Sequence, residues 1–241
     1  MKVQRYKHDS EYSYTLGATL TYEMLKCRPY LVTRVYICSD TEITDGISTI
    51  FAACEKHGIP VEKNDKAFHI LSPKGNCFVI GEFRKTEQKI AAGNHIVLVN
   101  PSDAGNLGTI IRTATGFGIT DIAIIRQAVD FYDPRTIRAS MGAAFHVTVE
   151  YFDTIDAYIR RFPDNRRYAF MLTSSQPLPE VEQKTPCSLI FGNEATGLPE
   201  CYAEFCTGVR IIHSRDIDSL NLPMAAGIAM YEFTKTFWQN K

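Results

Sequence analysis

Ser188–Pro199 reads SLIFGNEATGLP and Val209–Met230 reads VRIIHSRDIDSLNLPMAAGIAM. Each is a short apolar run that opens into a polar loop, the pattern of a strand delivering backbone groups to a ligand at the carboxyl edge of a sheet. Gly192 and Gly197 allow a close backbone approach, and Glu194 adds a carboxylate beside them. A plain strand-to-helix turn has the same composition, so the residues alone leave both readings open.

Upstream the same alternation recurs. IVLVN (96–100) is predicted as a strand, NLGTIIRTATGFG (106–118) as a helix and DIAIIR (121–126) as a second strand. DPRTIRASMGAAFHVTVE (133–150) reads as a helix and then a strand, Thr154–Arg161 as a helix, YAFMLT (168–173) as a strand, and the last helix runs from about Leu222 to Phe237. This is a mainly parallel α/β domain with loops gathered at the strand C-termini. Before it, Tyr12–Cys27 has apolar residues at roughly helical spacing and is predicted as a first helix closed by Arg28-Pro29. LVTRVYIC (31–38), ISTIFAACEKHG (47–58) and CFVIGEF (77–83) then give strand, helix and strand, a smaller α/β domain. The polar stretch RKTEQKIAAGN (84–94) carries the boundary, so domains are expected over 1–88 and 93–241.

With 241 residues, 45% of them hydrophobic, the chain supports a full core, and its formal charge of −1 excludes a nucleic-acid partner held by a global field. Local Arg and Lys clusters would have to hold one. The seven cysteines are scattered, without CxxC pairs or zinc spacing with His, so reduced thiols and no metal are expected. No apolar run approaches the ~18 residues of a membrane span, and the start lacks a signal-like core, which points to a cytoplasmic protein without a membrane partner.

Asn100–Arg112 (NPSDAGNLGTIIR) joins a strand to a helix whose apolar stripe of Leu107, Ile110, Ile111 and Ala114 faces the sheet, leaving Arg112 on the flank. Asn106 stands where an N-cap belongs. A capped helix with a solvated Arg accounts for this motif, and a dinucleotide site is a weaker option because GNLG lacks the full G-x-G-x-x-G. Ser219 and Asn221 likewise read as caps of the last helix.

As a set, in order and spacing, NPSDAGNLGTIIRTA (100–114), IFGNEATGLP (190–199) and VRIIHSRDIDSLNLPMAAGIAMYE (209–232) resemble the three motifs of the TrmH (SpoU) branch of the SPOUT RNA methyltransferases. RASMGAAFHV (138–147) resembles the family's intermediate segment, and the N-terminal part is similar to its ribosomal-protein-like substrate-binding domain. The resemblance implies a trefoil-knotted parallel sheet, an exception to the rule against knots, with S-adenosyl-L-methionine bound in the knot. It implies Thr173, Gly192, Ile211 and Leu220 as cofactor contacts and Asn106, Arg112, Glu194, Ser219 and Asn221 as catalytic positions. It also implies a homodimer whose active site draws on both subunits. In two places the chain departs from common members: Ile212 and His213 follow Ile211 where Pro is frequent, and LNLPMA stands for LNVSVA. His213 reads as a loop histidine.

The implied reaction is methylation of a ribose 2′-hydroxyl in RNA, ribosomal RNA in preference to tRNA. Arg126, Arg135 and Arg138, around Phe131 and Tyr132, are the candidate RNA contacts, suited to phosphates and base stacking, with a solvated Arg-rich loop as the other reading. Arg28, Tyr30 and Arg34 are weaker candidates. The different-class alternative is a non-catalytic RNA- or ribosome-binding protein that keeps the knotted scaffold; a Rossmann-type dehydrogenase ranks third.

Overall fold

In the computed structural model, which describes residues 3–72 and 77–238, the stretch predicted as one helix from Tyr12 is divided at Gly17. Tyr12–Leu16 is a strand, β1, and the helix α1 spans Ala18–Cys27. The misleading residues are Ser13 and Thr15, polar yet fully buried. The Thr15 hydroxyl is satisfied there by Thr21 Oγ1 at 2.8 Å and by the Gly81 N–H at 3.0 Å.

In chain order there follow β2 (Val32–Ile37), α2 (Asp45–His57), β3 (Val61–Lys63), α3 (Asp65–Leu71) and β4 (Val79–Arg84). Next come β5 (His95–Val99), α4 (Ala104–Gly116), β6 (Asp121–Ile125) and α5 (Pro134–Ala139). The remainder is β7 (Thr148–Phe152), α6 (Ile155–Arg161), β8 (Arg166–Phe170), β9 (Gln176–Pro177), β10 (Cys187–Phe191), β11 (Thr207–Arg210) and α7 (Leu222–Trp238). α2 begins where Thr44 accepts the Ile47 N–H and ends at left-handed Gly58. α3 lies outside every sequence expectation; at seven residues its apolar pattern is too short to stand out.

The elements form two compact units, Met1–Thr86 with Asp130–His146, and Glu87–Val129 with Val147–Lys241. The first holds a four-stranded sheet of order β1-β4-β2-β3. Residues 130–146 fall inside the second domain expected from sequence, yet they pack in the first unit. Phe131, Ile137 and Phe145 are buried, Ser13 Oγ donates to the Tyr132 carbonyl, and the Tyr132 hydroxyl donates to the Thr86 carbonyl at 2.7 Å.

The second unit is a seven-stranded sheet of order β7-β6-β5-β10-β8-β11-β9, parallel at every pairing. Ile96, Val97 and Leu98 on β5, Ile122 and Ile124 on β6, and Leu189 and Ile190 on β10 have no solvent exposure, as expected of parallel strands covered on both faces. Buried His95 donates from Nε2 to the Ala91 carbonyl at 2.7 Å, which leaves Nδ1 to accept from the Tyr158 hydroxyl at 2.8 Å. Burial depresses its pKa and keeps the ring neutral. The chain steps outward from β5 through β6 to β7, then resumes on the other side of β5 with β10 as its new neighbour. That reversal is a topological switch point, where loops diverge from adjacent carboxyl ends and leave a crevice. No helix among the described residues is long and apolar enough to cross a membrane.

Candidate active site

The loop after β5 turns at Asn100, whose φ is +52. The N-cap of α4 is Asp103, not Asn106: the Asp103 side chain accepts the Asn106 N–H at 2.7 Å. The Asn106 side chain is therefore free of the cap, and its Nδ2 donates to Glu194 Oε1 at 3.2 Å. Glu194, in the loop after β10, also accepts the Asp103 N–H on Oε1 at 3.2 Å. Its Oε2 accepts the Ser102 N–H at 3.0 Å and the Ser102 hydroxyl at 2.8 Å. Burial raises the Glu194 pKa, but the hydrogen bonds from Ser102, its own backbone and Asn106 together outweigh it, and the net shift is downward. An ionised Glu194 therefore clasps the two switch-point loops together. Asn193 completes the clasp: Nδ2 donates to the Asn100 carbonyl at 2.8 Å, and Oδ1 accepts the Ala195 N–H at 2.8 Å.

Beside the clasp, the loops following β8, β10 and β11 enclose a cavity of about 450 Å³. Thr173, Gly192, Ile211 and Leu220, the four expected cofactor contacts, all line it, as do Glu194, Ser219 and His213. Gly192 is required by the packing, since a Cβ there would overlap the backbone of Gly197 and Leu198. His213 donates from Nδ1 to the Ser214 carbonyl at 2.8 Å, as a loop histidine does. Asn106, Asn221 and Arg112 are not in the wall. The Asn221 carbonyl accepts the Met224 and Ala225 N–H groups, both at 3.0 Å, and opens α7. Arg112 is exposed on α4, with no hydrogen bond or ion pair among the described residues.

The three arginines expected to bind RNA are not brought together within one unit. Arg126 belongs to the second, where it lies over the Tyr151 ring at 5.3 Å. Arg135 and Arg138 belong to the first; Arg135 is paired with Asp133 at 2.7 Å and Arg138 is exposed. Phe131 is core, 2% exposed, and is not presented for base stacking. A larger cavity, about 650 Å³, lies at the amino ends of β8, β10 and β11. Arg166 and Arg167 on its wall bond to Thr207 Oγ1 and the Phe205 carbonyl, and none of the three motifs reaches it.

Residues 93–231 match the model of the SpoU rRNA Methylase family. The chain belongs to this family. Among curated SpoU relatives, it is 30% identical over 146 residues to an uncharacterized tRNA/rRNA methyltransferase of Synechocystis, covering 59% of this chain and 53% of that protein. It is 29% identical over 153 residues to the 23S rRNA (guanosine(2553)-2′-O)-methyltransferase RlmP of Bacillus subtilis, 60% of each chain. These matches therefore span little more than half the length of either relative. Among solved structures, the AdoMet-bound rRNA methyltransferase of Sinorhizobium meliloti superposes with a TM-score of 0.79 at 26% identity, covering 94% of this chain and 88% of that one. The α/β fold of this SpoU-family chain is thus the fold of that methyltransferase.

Three site residues escaped the sequence reading: Ser102, Asp103 and Asn193. Asp103 carried a usable signal, an Asp three residues before Asn106, but two cap-forming residues within one turn compete for the same position. Ser102 and Asn193 act through contacts made 92 and 93 positions away, which no local pattern displays.

Proposed function

We propose that this SpoU-family chain is an S-adenosyl-L-methionine-dependent RNA methyltransferase acting on a ribose 2′-hydroxyl, in ribosomal RNA in preference to tRNA. The observation that carries the reading is the joining of the first and second motif loops at the switch point, beside a single cavity that holds all four expected cofactor positions, from the second motif, the third motif and the end of β8. The names of its relatives point the same way.

The cavity suits the cofactor. Its volume falls within the ~300–1,000 Å³ of small-molecule sites. Leu172, Leu198, Val209, Ile211, Leu220 and Leu222 supply apolar walls for a purine, and the backbone at the strand ends supplies donors and acceptors for its edge. Bound there, the sulfonium supplies an already activated methyl group. What remains for the protein is to align and polarise a weak nucleophile. The Arg112 guanidinium stabilises negative charge developing on the 2′-oxygen and anchors the adjacent phosphate. Ser219 and Asn221 orient the ribose, and Glu194 with Asn106 positions the loop beside it.

Arg112 reaches the cavity from a second copy of the chain. Supporting this is the surface of α7, where Met224, Ile228 and Tyr231 share one helical face and are 61%, 39% and 55% exposed, an apolar stripe suited to an isologous dimer. The reading includes a trefoil knot in the segment from β8 to α7, and RNA recognition by the first unit. Transfer of label from methyl-labelled S-adenosylmethionine to ribosomal RNA from cells lacking the protein tests the proposal, with tRNA as the second arm. Cofactor binding without label in either RNA would favour the non-catalytic alternative.

A further inference from the structure

Glu23 and Cys27, one turn apart on α1, converge on the ring of His146, which follows a 3₁₀ turn at Ala143–Phe145, all within the first unit. Cys27 Sγ lies 3.3 Å from His146 Nε2, that nitrogen lies 3.3 Å from Glu23 Oε2, and the sulfur lies 3.9 Å from the same carboxylate oxygen. A tetrahedral zinc ion, with bonds of about 2.3 Å to sulfur and about 2.0 Å to nitrogen and oxygen, spaces such atoms by about 3.5 Å (S···N and S···O) and about 3.3 Å (N···O). Each edge of the triangle here is within about 0.4 Å of that geometry.

Neighbouring contacts hold the triangle in place. Arg28 Nε, next to Cys27, donates to the Phe145 carbonyl at 3.0 Å, and the Phe145 ring packs edge-on against buried Phe83 at 5.5 Å. Gly142, at φ +93, lies so close to Glu23 that a Cβ would sit 3.0 Å from its Cβ and Cγ. A His146–Glu23 ion pair with the Cys27 thiol hydrogen-bonded beside it is the metal-free arrangement of these atoms; the same convergence of one sulfur, one nitrogen and one oxygen is what a metal ion requires.

We propose that Glu23, Cys27 and His146 form a three-ligand zinc site in the first unit, with a fourth position open to water or another donor. One thiolate, one imidazole and one carboxylate suit a borderline-soft divalent ion. Binding takes Cys27 as the thiolate and releases its proton to solvent. The ion joins residues 119 positions apart and so ties the 130–146 segment to α1. The methyl transfer proposed above does not use it.

The test is titration of the full reduced chain, stripped with a chelator, using cobalt(II) as a spectroscopic stand-in for zinc. One equivalent should give thiolate-to-cobalt charge-transfer absorption and the d–d bands of a four-coordinate ion, both abolished by added zinc. Cys27→Ser should remove the charge-transfer band and the zinc-induced rise in melting temperature. Glu23→Gln and His146→Ala should weaken cobalt binding by at least ~10-fold, with circular dichroism reporting that each variant remains folded. The other six cysteines sharpen the control. A spectrum unchanged in Cys27→Ser, substoichiometric binding, or six-coordinate bands without a thiolate transition would overturn the proposal.

Discussion

The Asn106 side-chain amide donates to Glu194 Oε1 at 3.2 Å across 88 positions of sequence, within a clasp that Ser102 and Asp103 complete. The clasp lies on the border between the cavity of about 450 Å³ and the loop that leads to α4, so its integrity sets the geometry of the proposed site. Glu194→Gln places an amide NH₂ against donors that now meet an oxygen. The expected loss is about 1–3 kcal/mol of stability, read as a lower urea midpoint at unchanged m-value. Turnover should fall as well; an unaltered midpoint would remove the clasp from the account.

Acid should weaken the second unit in two steps. The pKa of His95 is depressed below its ordinary 6.5, by burial above all, and that of Glu194 lies below its ordinary 4.5. In each case the unfolded chain takes up the proton first. Stability is therefore full above about 6.5, declines below it as unfolded His95 protonates, and declines again below about 4.5 through Glu194. Urea midpoints measured from neutral to acid pH check this, and His95→Gln should flatten the upper step. A rise in stability on acidification through the histidine range would contradict it.

Arg112→Ala should behave as loss of an electrostatic donor that acts on the transition state. Turnover is expected to drop on the order of 10²–10³-fold with cofactor affinity little changed. Near-full single-turnover activity would exclude Arg112 from the mechanism.

The stripe on α7 gives a prediction about assembly. Ile228→Glu puts a charge into the proposed self-complementary face and should shift sedimentation from dimer to monomer, with activity lost in parallel. A wild-type chain that sediments as a monomer while fully active would rule out a site completed by a second copy.

Much of the parallel sheet was legible because a strand covered on both faces appears as an unbroken apolar run, as in IVLV, DIAII and SLIF. Where polar groups are buried and satisfied, the same reasoning fails: Ser13 and Thr15 hide β1, whose pairing with β4 the helical spacing of Tyr14, Ala18 and Leu25 obscures. The grouping of 130–146 with the first unit depends on Phe131, Ile137 and Phe145 finding distant neighbours, which local periodicity does not encode. At the site, the apolar runs mark the strand-end loops, while the wall positions Thr173, Gly192, Ile211 and Leu220 come from the family resemblance. The clasp is not legible, because Asn106 and Asp103 both carry cap-forming side chains and only the fold decides between them, and Arg112 stands outside the cavity of its own chain. The proposed zinc site likewise lies outside the expectation of no metal, since His146 meets Cys27 only through folding.

The position of the transferred methyl group tests the central claim most directly. RNA labelled by the purified protein with S-adenosylmethionine should be digested completely and its nucleosides resolved, with alkali resistance of the adjoining phosphodiester as the second readout. The account predicts label in a 2′-O-methylnucleoside at a defined site in ribosomal RNA, next to an alkali-resistant bond. Label on a base, or cofactor binding with no label in any RNA, would contradict it.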